Sequence, residues 1–219
     1  MTDWLFVSGP GRSGTKLLAW CLGQHPDIRM GVHESAIAEQ VLKLFKPSAV
    51  SNFPVEWTAD GGLYWFQTAH LLGGGLEYEY ELEPERMAAA ALAGLRDNLC
   101  PDKRYLGDKA PGYCETWPLV RQLCPRSRFV FIKRDVDASV QSWQRQGFCN
   151  GDEAEIRRTI KARLAHAAAC PGAIWLELEA LNAAPEEQLS KVFVALDLDP
   201  ARAPWEGIVA QVKCLPHLN

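Results

Sequence analysis

The feature that most constrains this chain is a glycine-rich turn between an apolar run and a helix-forming run near the N-terminus. Residues 6–18 read FVSGPGRSGTKLL, which predicts a buried strand, a phosphate-binding turn and a helix. Glycine lets the backbone approach an anion closely, and the free N–H groups that open the helix favour negative charge. Hydroxyl and cationic side chains add further donors: Arg12, Ser13, Thr15 and Lys16. The turn therefore predicts an anion site.

Nucleotide kinases carry a related loop of the form G-x-x-x-x-G-K-[ST], in which the lysine directly follows the glycine and the next hydroxyl holds magnesium. Here Thr15 lies between Gly14 and Lys16, and Leu17 occupies the position of that hydroxyl. The spacing disfavours a magnesium-dependent kinase, but a small-molecule kinase stays an alternative. An ordinary strand-to-helix turn that binds nothing is another.

Length and composition limit the classes of protein that the chain can be. Its 219 residues, 47% of them hydrophobic, are enough for one well-buried core and few for two, so we predict a single domain over residues 1–219. A net charge of −4 disfavours a general nucleic-acid binder, although it allows a local basic pocket. Seven cysteines without a CxxC pair or zinc-finger spacing indicate neither a disulfide framework nor a metal site.

The N-terminal residues lack the basic and apolar regions of a signal peptide, which predicts a cytoplasmic location. No apolar run has the length that crosses a bilayer, so no transmembrane segment is expected.

Strand-like and helix-like patterns alternate along much of the chain. Strand patterns occur at residues 105–106, 128–133 and 173–178, and helical patterns follow them. This alternation predicts an α/β fold with a P-loop-type central parallel sheet and helices on both faces. Ligands of such sheets bind at the carboxyl ends of the strands, where the turns after Ser8, Leu106 and Lys133 are expected to open.

Residues 46–83 are irregular, because glycines and prolines interrupt them repeatedly, and they are rich in aromatic side chains. This segment predicts either an acceptor-site wall or lid, or a set of aromatic residues that anchors an irregular region to the core.

A second anion site is predicted where the strand at 128–133 leads into a helix. Arg134 stands at the end of this strand and Ser142 follows two turns into the helix, so both side chains can face one pocket and bind a phosphate. In the alternative interpretation, Arg134 pairs with Asp135 or Asp137 and Ser142 is a solvated helix residue.

Together, the segments GPGRSGTKLL and RFVFIKRDVDASVQSW resemble the two cofactor motifs of the sulfotransferases that use 3′-phosphoadenosine 5′-phosphosulfate (PAPS). In that family the first motif binds the 5′-phosphosulfate, and the arginine and serine of the second bind the 3′-phosphate. The resemblance implies PAPS as cofactor, adenosine 3′,5′-bisphosphate (PAP) as its product, and no metal. It also implies a set of cofactor-binding residues: Gly11, Arg12, Ser13, Gly14, Thr15, Lys16, Arg134 and Ser142.

Catalytic residues are implied by weaker parts of the same resemblance. The segment GDKAP at 107–111 resembles a lysine-bearing loop of the bacterial and tyrosylprotein branch, so Lys109 would act with Arg12 on the leaving oxygen or the sulfonate. An exposed turn lysine is the alternative. Counted from the HPDI segment at 25–28, that branch places its glutamate base where His33 stands here, and Glu34 follows, so both are candidates for the base.

The resemblance thus implies transfer of a sulfuryl group from PAPS to a hydroxyl or amine of a small-molecule, glycan, lipid or peptide acceptor. The sequence leaves the acceptor and the oligomeric state open. A P-loop small-molecule kinase and a non-catalytic nucleotide-binding protein are the alternatives.

Overall fold

Short apolar runs fold into five parallel strands in the described part of the chain, which comprises residues 2–34, 36–45 and 84–214 of a computed structural model. The strands are β1 (Asp3–Ser8), β2 (Ile28–Glu34), β3 (Tyr105–Lys109), β4 (Arg128–Lys133) and β5 (Ile174–Glu177). They pair in the order β2-β3-β1-β4-β5, so β1 is central. The predicted irregular segment at 46–83 lies outside the described residues, and its role as an acceptor wall or lid stays a prediction.

Nine α-helices are seen in the same described ranges. They are α1 (Thr15–Gly23), α2 (Ile37–Phe45), α3 (Pro84–Leu99), α4 (Tyr113–Leu123), α5 (Val136–Arg145), α6 (Glu153–Ala168), α7 (Leu178–Ala183), α8 (Pro185–Ala195) and α9 (Trp205–Cys214). Short 3-10 turns lie at Phe148–Gly151 and Pro200–Arg202. None of these helices is long and apolar enough to span a membrane.

The two larger core clusters of the described residues lie on opposite faces of the sheet, because successive residues of a strand point to opposite faces. Leu5 and Val7 of β1 belong to an aliphatic cluster with α1, α7, α8 and α9. Trp4 and Phe6 belong to an aromatic-rich cluster with α2, α3 and α4. Phe6 packs within it against Phe129 of β4 in a tilted arrangement, with 5.4 Å between the ring centroids. The predicted α/β fold with a parallel sheet and helices on both faces is therefore confirmed.

Two element boundaries differ from the sequence-based expectation. The strand expected at 105–106 continues to Lys109, because all five residues of β3 are buried between β1 and β2. The sequence pattern predicts a helix over residues 117–123, but α4 begins four residues earlier, at Tyr113, and buries Tyr113 and Cys114 in its first turn.

The HPDI segment anchors the amino end of the sheet. His25 is buried, its Nδ1 accepts the backbone N–H of Asp27 at 3.2 Å, and its Nε2 lies 3.0 Å from the carbonyl oxygen of Asp199. Arg202 donates a hydrogen bond to the Asp27 carboxylate. Because Asp27 directly precedes β2, this cluster lies at the end of the strands opposite the glycine-rich turn.

Burial separates the seven cysteines into two groups, and all of them are free thiols. The buried group comprises Cys21, Cys100, Cys114, Cys124 and Cys170, whereas Cys149 is half-buried and Cys214 is exposed. Burial raises the pKa of Cys21, Cys114 and Cys124 to about 12. These thiols stay protonated near neutral pH, and the protonated form is not the nucleophile.

We therefore expect the native protein to react rapidly with Ellman's reagent at two thiols, and the denatured protein at all seven. The replacements Cys149→Ser and Cys214→Ser should each remove one rapid equivalent, whereas Cys21→Ser should remove none. A third rapid thiol in the native protein would contradict the burial described above.

Candidate anion-binding site

The turn at residues 9–14 joins the central strand β1 to α1 at the carboxyl edge of the sheet. Gly14 caps the helix with φ 92°, a left-handed conformation in which glycine is unstrained. Arg12 also has a positive φ, 67°, which is uncommon for a residue with a side chain and persists where the surroundings enforce it. The turn is therefore held in a shape that an isolated peptide would rarely adopt.

Three glycines of the turn pack against three different elements. A Cβ atom would lie 2.2 Å from the Ile132 carbonyl oxygen at Gly9, 2.8 Å from Trp143 Cζ2 at Gly11, and 2.7 Å from Leu178 Cδ1 at Gly14. Each position thus excludes a side chain because β4, α5 or α7 occupies the space. The sequence showed that these glycines permit a close approach to an anion, but not that neighbouring elements require them.

Several backbone N–H groups of this turn make no hydrogen bond to a carbonyl oxygen of the described residues. The N–H groups of Arg12, Gly14, Thr15 and Lys16 donate to no carbonyl oxygen in the part of the chain that the structure describes. The N–H of Ser13 instead closes the turn on Pro10 O at 3.1 Å. Free N–H groups at a helix N-terminus, together with the helix dipole, form an anion site.

The side chains of the turn differ in exposure. Ser13 is fully buried, and its Oγ has no hydrogen-bond partner within the described ranges. Thr15 is buried as the first residue of α1, and Lys16 is exposed in the same helical turn. A buried hydroxyl without a protein partner is a donor that a ligand can complete.

The two predicted anion motifs meet at Arg12. Its Nε donates to Ser142 Oγ at 3.1 Å, and Ser142 is only 2% exposed. The Arg134 Nη1 group donates to the carbonyl oxygen of Arg12 at 3.4 Å. Strands β1 and β4 are neighbours in the sheet, so the turn after β1 and the start of α5 share one edge. The structure therefore brings Arg12, Arg134 and Ser142 into one cluster.

The alternative partners of Arg134 are engaged elsewhere. Asp135 caps α5 by accepting the N–H of Ala138 at 2.8 Å, which is the ordinary function of an aspartate at this position. Asp137 forms an ion pair with Arg157 at 2.6 Å. Ser142 is buried rather than solvated. The structure therefore does not support the interpretation of Arg134 as a surface ion-pair residue.

Lys109 is the last residue of β3 and is only 2% exposed. Its Cα lies in register with Val7 of β1 and with Glu34 of β2. The alternative of an exposed turn lysine is therefore wrong. The register places Lys109 between the strand that enters the anion turn and the strand that carries the candidate base.

A register shift in β2 decides which residue meets Lys109. Met30 pairs with Gly107 and Glu34 pairs with Lys109, so four steps along β2 correspond to two along β3. Such bulges change which residue is aligned with the neighbouring strand. The backbone of Glu34 thus lies beside Lys109, and His33 precedes it in the same strand.

Asp108 of β3 binds the start of α2 by hydrogen bonds. The sequence analysis did not identify it as a site residue. Its Oδ2 accepts the N–H of Ile37 at 2.7 Å and the hydroxyl of Tyr113. The Tyr113 oxygen in turn accepts the N–H of Ala38 at 3.3 Å. Burial, with the Asp108 charge beside it, holds the pKa of Tyr113 well above its ordinary value, so the phenol stays a neutral donor. The start of α2 is thereby fixed to the end of β3.

The comparisons with known proteins agree with this geometry. A model of the sulfotransferase family matches residues 5–202. A predicted protein-tyrosine sulfotransferase of Caenorhabditis briggsae is 27% identical over 205 residues, which cover 89% of this chain and 65% of that protein. The chain therefore spans slightly less than two thirds of that relative's length.

Solved structures show the same fold. The sulfotransferase domain from the curacin biosynthetic pathway has a TM-score of 0.61 at 16% identity, over 97% of this chain and 78% of that domain. A sulfotransferase from Alicyclobacillus acidocaldarius has a TM-score of 0.57 at 15% identity, over 99% of this chain and 96% of that one. With a family match across nearly its whole length, the chain belongs to the sulfotransferase family, whose members are transferases.

Proposed function

We propose that this protein transfers a sulfuryl group from PAPS to a hydroxyl or amine of an acceptor. The family generally uses PAPS. The observation that carries the proposal is the contact of Arg12 with Ser142 and Arg134, because it unites two anion motifs at one carboxyl edge. A cofactor with phosphate groups at both its 3′ and 5′ positions needs two such motifs in one place.

The residues present fit this cofactor. The 5′-phosphosulfate would be held by those N–H groups of the turn, and by the Ser13 hydroxyl, that have no hydrogen-bond partner among the described residues. Arg134 and Ser142 would hold the 3′-phosphate, because a guanidinium fork and a hydroxyl make charge-assisted hydrogen bonds to phosphate oxygens. The remaining predicted ligands, from Gly11 to Lys16, lie in the turn or in the first turn of α1.

Residues at the same carboxyl edge of the sheet would stabilise the charge on the leaving oxygen and accept the proton of the acceptor. When bound, PAPS would supply an activated sulfuryl group that passes from its 5′-phosphate oxygen to the acceptor atom, and PAP would be the leaving group. Arg12, Lys16 and Lys109 would stabilise the negative charge on the leaving oxygen. A general base would accept the proton of the acceptor hydroxyl or amine.

Glu34 is the better candidate for that base. The β2 register places its backbone beside Lys109, whereas His33 precedes that position. A carboxylate is one of the side-chain groups that act as general bases. The preference for Glu34 over His33 rests on the pairing of the β2 backbone with β3.

The two alternatives predict different ligands. A small-molecule kinase needs a magnesium-binding hydroxyl where Leu17 stands, and Leu17 is buried in the aliphatic core cluster. A non-catalytic nucleotide-binding protein would bind PAP without transferring sulfate. Binding of PAP or of ATP with magnesium therefore distinguishes the sulfotransferase from the kinase. Sulfate transfer distinguishes the sulfotransferase from the non-catalytic protein.

We expect PAP to raise the melting temperature of the purified protein, because a ligand that binds only the folded state stabilises it. ATP with magnesium at the same concentration should give a smaller shift, and adenosine is the control for the base and sugar alone. A shift with ATP and magnesium but not with PAP would contradict the proposal and favour a kinase. A shift with PAP but no sulfate transfer from labelled PAPS to a panel of phenols, sugars, amines and tyrosine peptides would favour the non-catalytic alternative.

The replacement Arg134→Ala should weaken PAP binding by about 1.5–3 kcal/mol, the usual contribution of a hydrogen bond to a charged group. Isothermal titration calorimetry measures this change. Arg126→Ala is the matched control, because Arg126 pairs with Asp3 at the amino end of the sheet. Equal PAP affinity in the wild type and Arg134→Ala would remove Arg134 from the cofactor site.

The replacement Glu34→Gln should abolish sulfate transfer and leave PAP affinity nearly unchanged, since it removes the base but no predicted cofactor ligand. His33→Gln is the matched control and should retain transfer. The measurement uses labelled PAPS with an acceptor identified in the screen. Loss of transfer in His33→Gln alone would assign the base to His33, and retention in both variants would place the base elsewhere.

A further inference from the structure

Trp143 packs against the anion turn and is the last residue of the RFVFIKRDVDASVQSW segment, but neither the sequence analysis nor the proposed mechanism gives it a function. It follows Ser142 on α5 and is 7% exposed. Its Cζ2 atom occupies the space that a Cβ of Gly11 would need, 2.8 Å from that position. The indole ring therefore packs directly against the backbone of the turn at Gly11.

A hydrogen bond joins the ring to the turn. The indole Nε1–H of Trp143 donates to the carbonyl oxygen of Gly11. Because the peptide group is planar and trans, its carbonyl oxygen and its N–H point in opposite directions. Fixing the Gly11 carbonyl toward the indole therefore turns the N–H of Arg12 away from it. That N–H donates to no carbonyl oxygen in the described residues, so it is available to an anion.

The ring is held by contacts that do not involve the turn. The guanidinium carbon of Arg163, on α6, lies 5.8 Å from the centroid of the Trp143 ring. The Arg163 Nε is 3.6 Å from Glu115 Oε1 on α4. Trp143 also packs with Ile156 and Ile160 of α6 in a small buried cluster. Three helices thus set the orientation of the indole, and the indole sets the orientation of the Gly11 peptide.

We infer that Trp143 is a positioning residue that orients the Gly11–Arg12 peptide so that its N–H faces the bound anion. It acts through the turn, because its own donor is used on Gly11. The identity of the anion, the 5′-phosphosulfate of PAPS, rests on the proposed function. A site whose donors are oriented before the ligand arrives binds more tightly, since no reorganisation opposes binding.

The test replaces the indole by a ring without an N–H donor. Trp143→Phe keeps most of the buried aromatic surface and removes the hydrogen bond. Trp117→Phe is the matched control, because Trp117 Nε1 donates to a backbone carbonyl, that of His166, at 2.9 Å and away from the turn. Trp143→Tyr is the second variant should Trp143→Phe not fold. Melting curves establish that each variant is folded.

Calorimetry with PAP and with adenosine 3′-monophosphate separates positioning from a general structural effect. We expect Trp143→Phe to weaken PAP binding roughly two- to tenfold, the range of one net hydrogen bond. Binding of adenosine 3′-monophosphate, which lacks the 5′ group, should change little, and Trp117→Phe should change neither. An unchanged PAP affinity, or an equal loss for both ligands, overturns the inference.

Hydrogen exchange tests the same inference without a ligand. A peptide that covers residues 9–16 should take up deuterium faster in Trp143→Phe than in the wild type or Trp117→Phe, because the Gly11 carbonyl has lost its partner. Equal uptake in all three proteins overturns the inference. If the wild type binds no PAP, the proposed function fails, and this exchange experiment still decides whether Trp143 orients the turn.

Discussion

The contact between Arg12 and Ser142 is the interaction on which the candidate site depends. The two residues are 130 positions apart in sequence, yet Arg12 Nε donates to Ser142 Oγ at 3.1 Å. They meet because β1 and β4 are neighbouring parallel strands, whose carboxyl ends lie at one edge of the sheet. A family of enzymes that binds a doubly phosphorylated nucleotide needs two anion motifs in this relation.

Buried elements on both faces of the sheet pack against that edge. Alternating residues of the central strand are buried in an aliphatic cluster on one face and an aromatic-rich cluster on the other. The anion turn then packs on β4, α5 and α7 through its glycines. Asp108 and Tyr113 fix the start of α2 to the end of β3 in the same way. The donors for an anion are thus supported by buried structure.

Local patterns in the sequence were sufficient for the parts of the site that depend on neighbouring residues. The glycine-rich turn, the strand at Arg128–Lys133 and the candidate anion motif of Arg134 and Ser142 were all predicted, because each is a short segment with its own spacing. Burial of Lys109 was not predicted, since β3 extends beyond its apolar residues only through pairing with strands on both sides. The supporting roles of Trp143 and Leu178 were missed for a related reason. Their partners lie more than a hundred positions away in the sequence.

The amino-acid sequence alone was sufficient to predict the fold class and the family, because the strand and helix periodicities and the two anion motifs each occupy a contiguous segment. Three features required the folded structure: the backbone of Glu34 beside Lys109, the contacts that exclude a side chain at each glycine of the turn, and the packing of Trp143 against Gly11. Each of these depends on strand register or on packing between distant elements. Register follows from pairing between strands, and packing follows from side chains that meet only after the chain has folded.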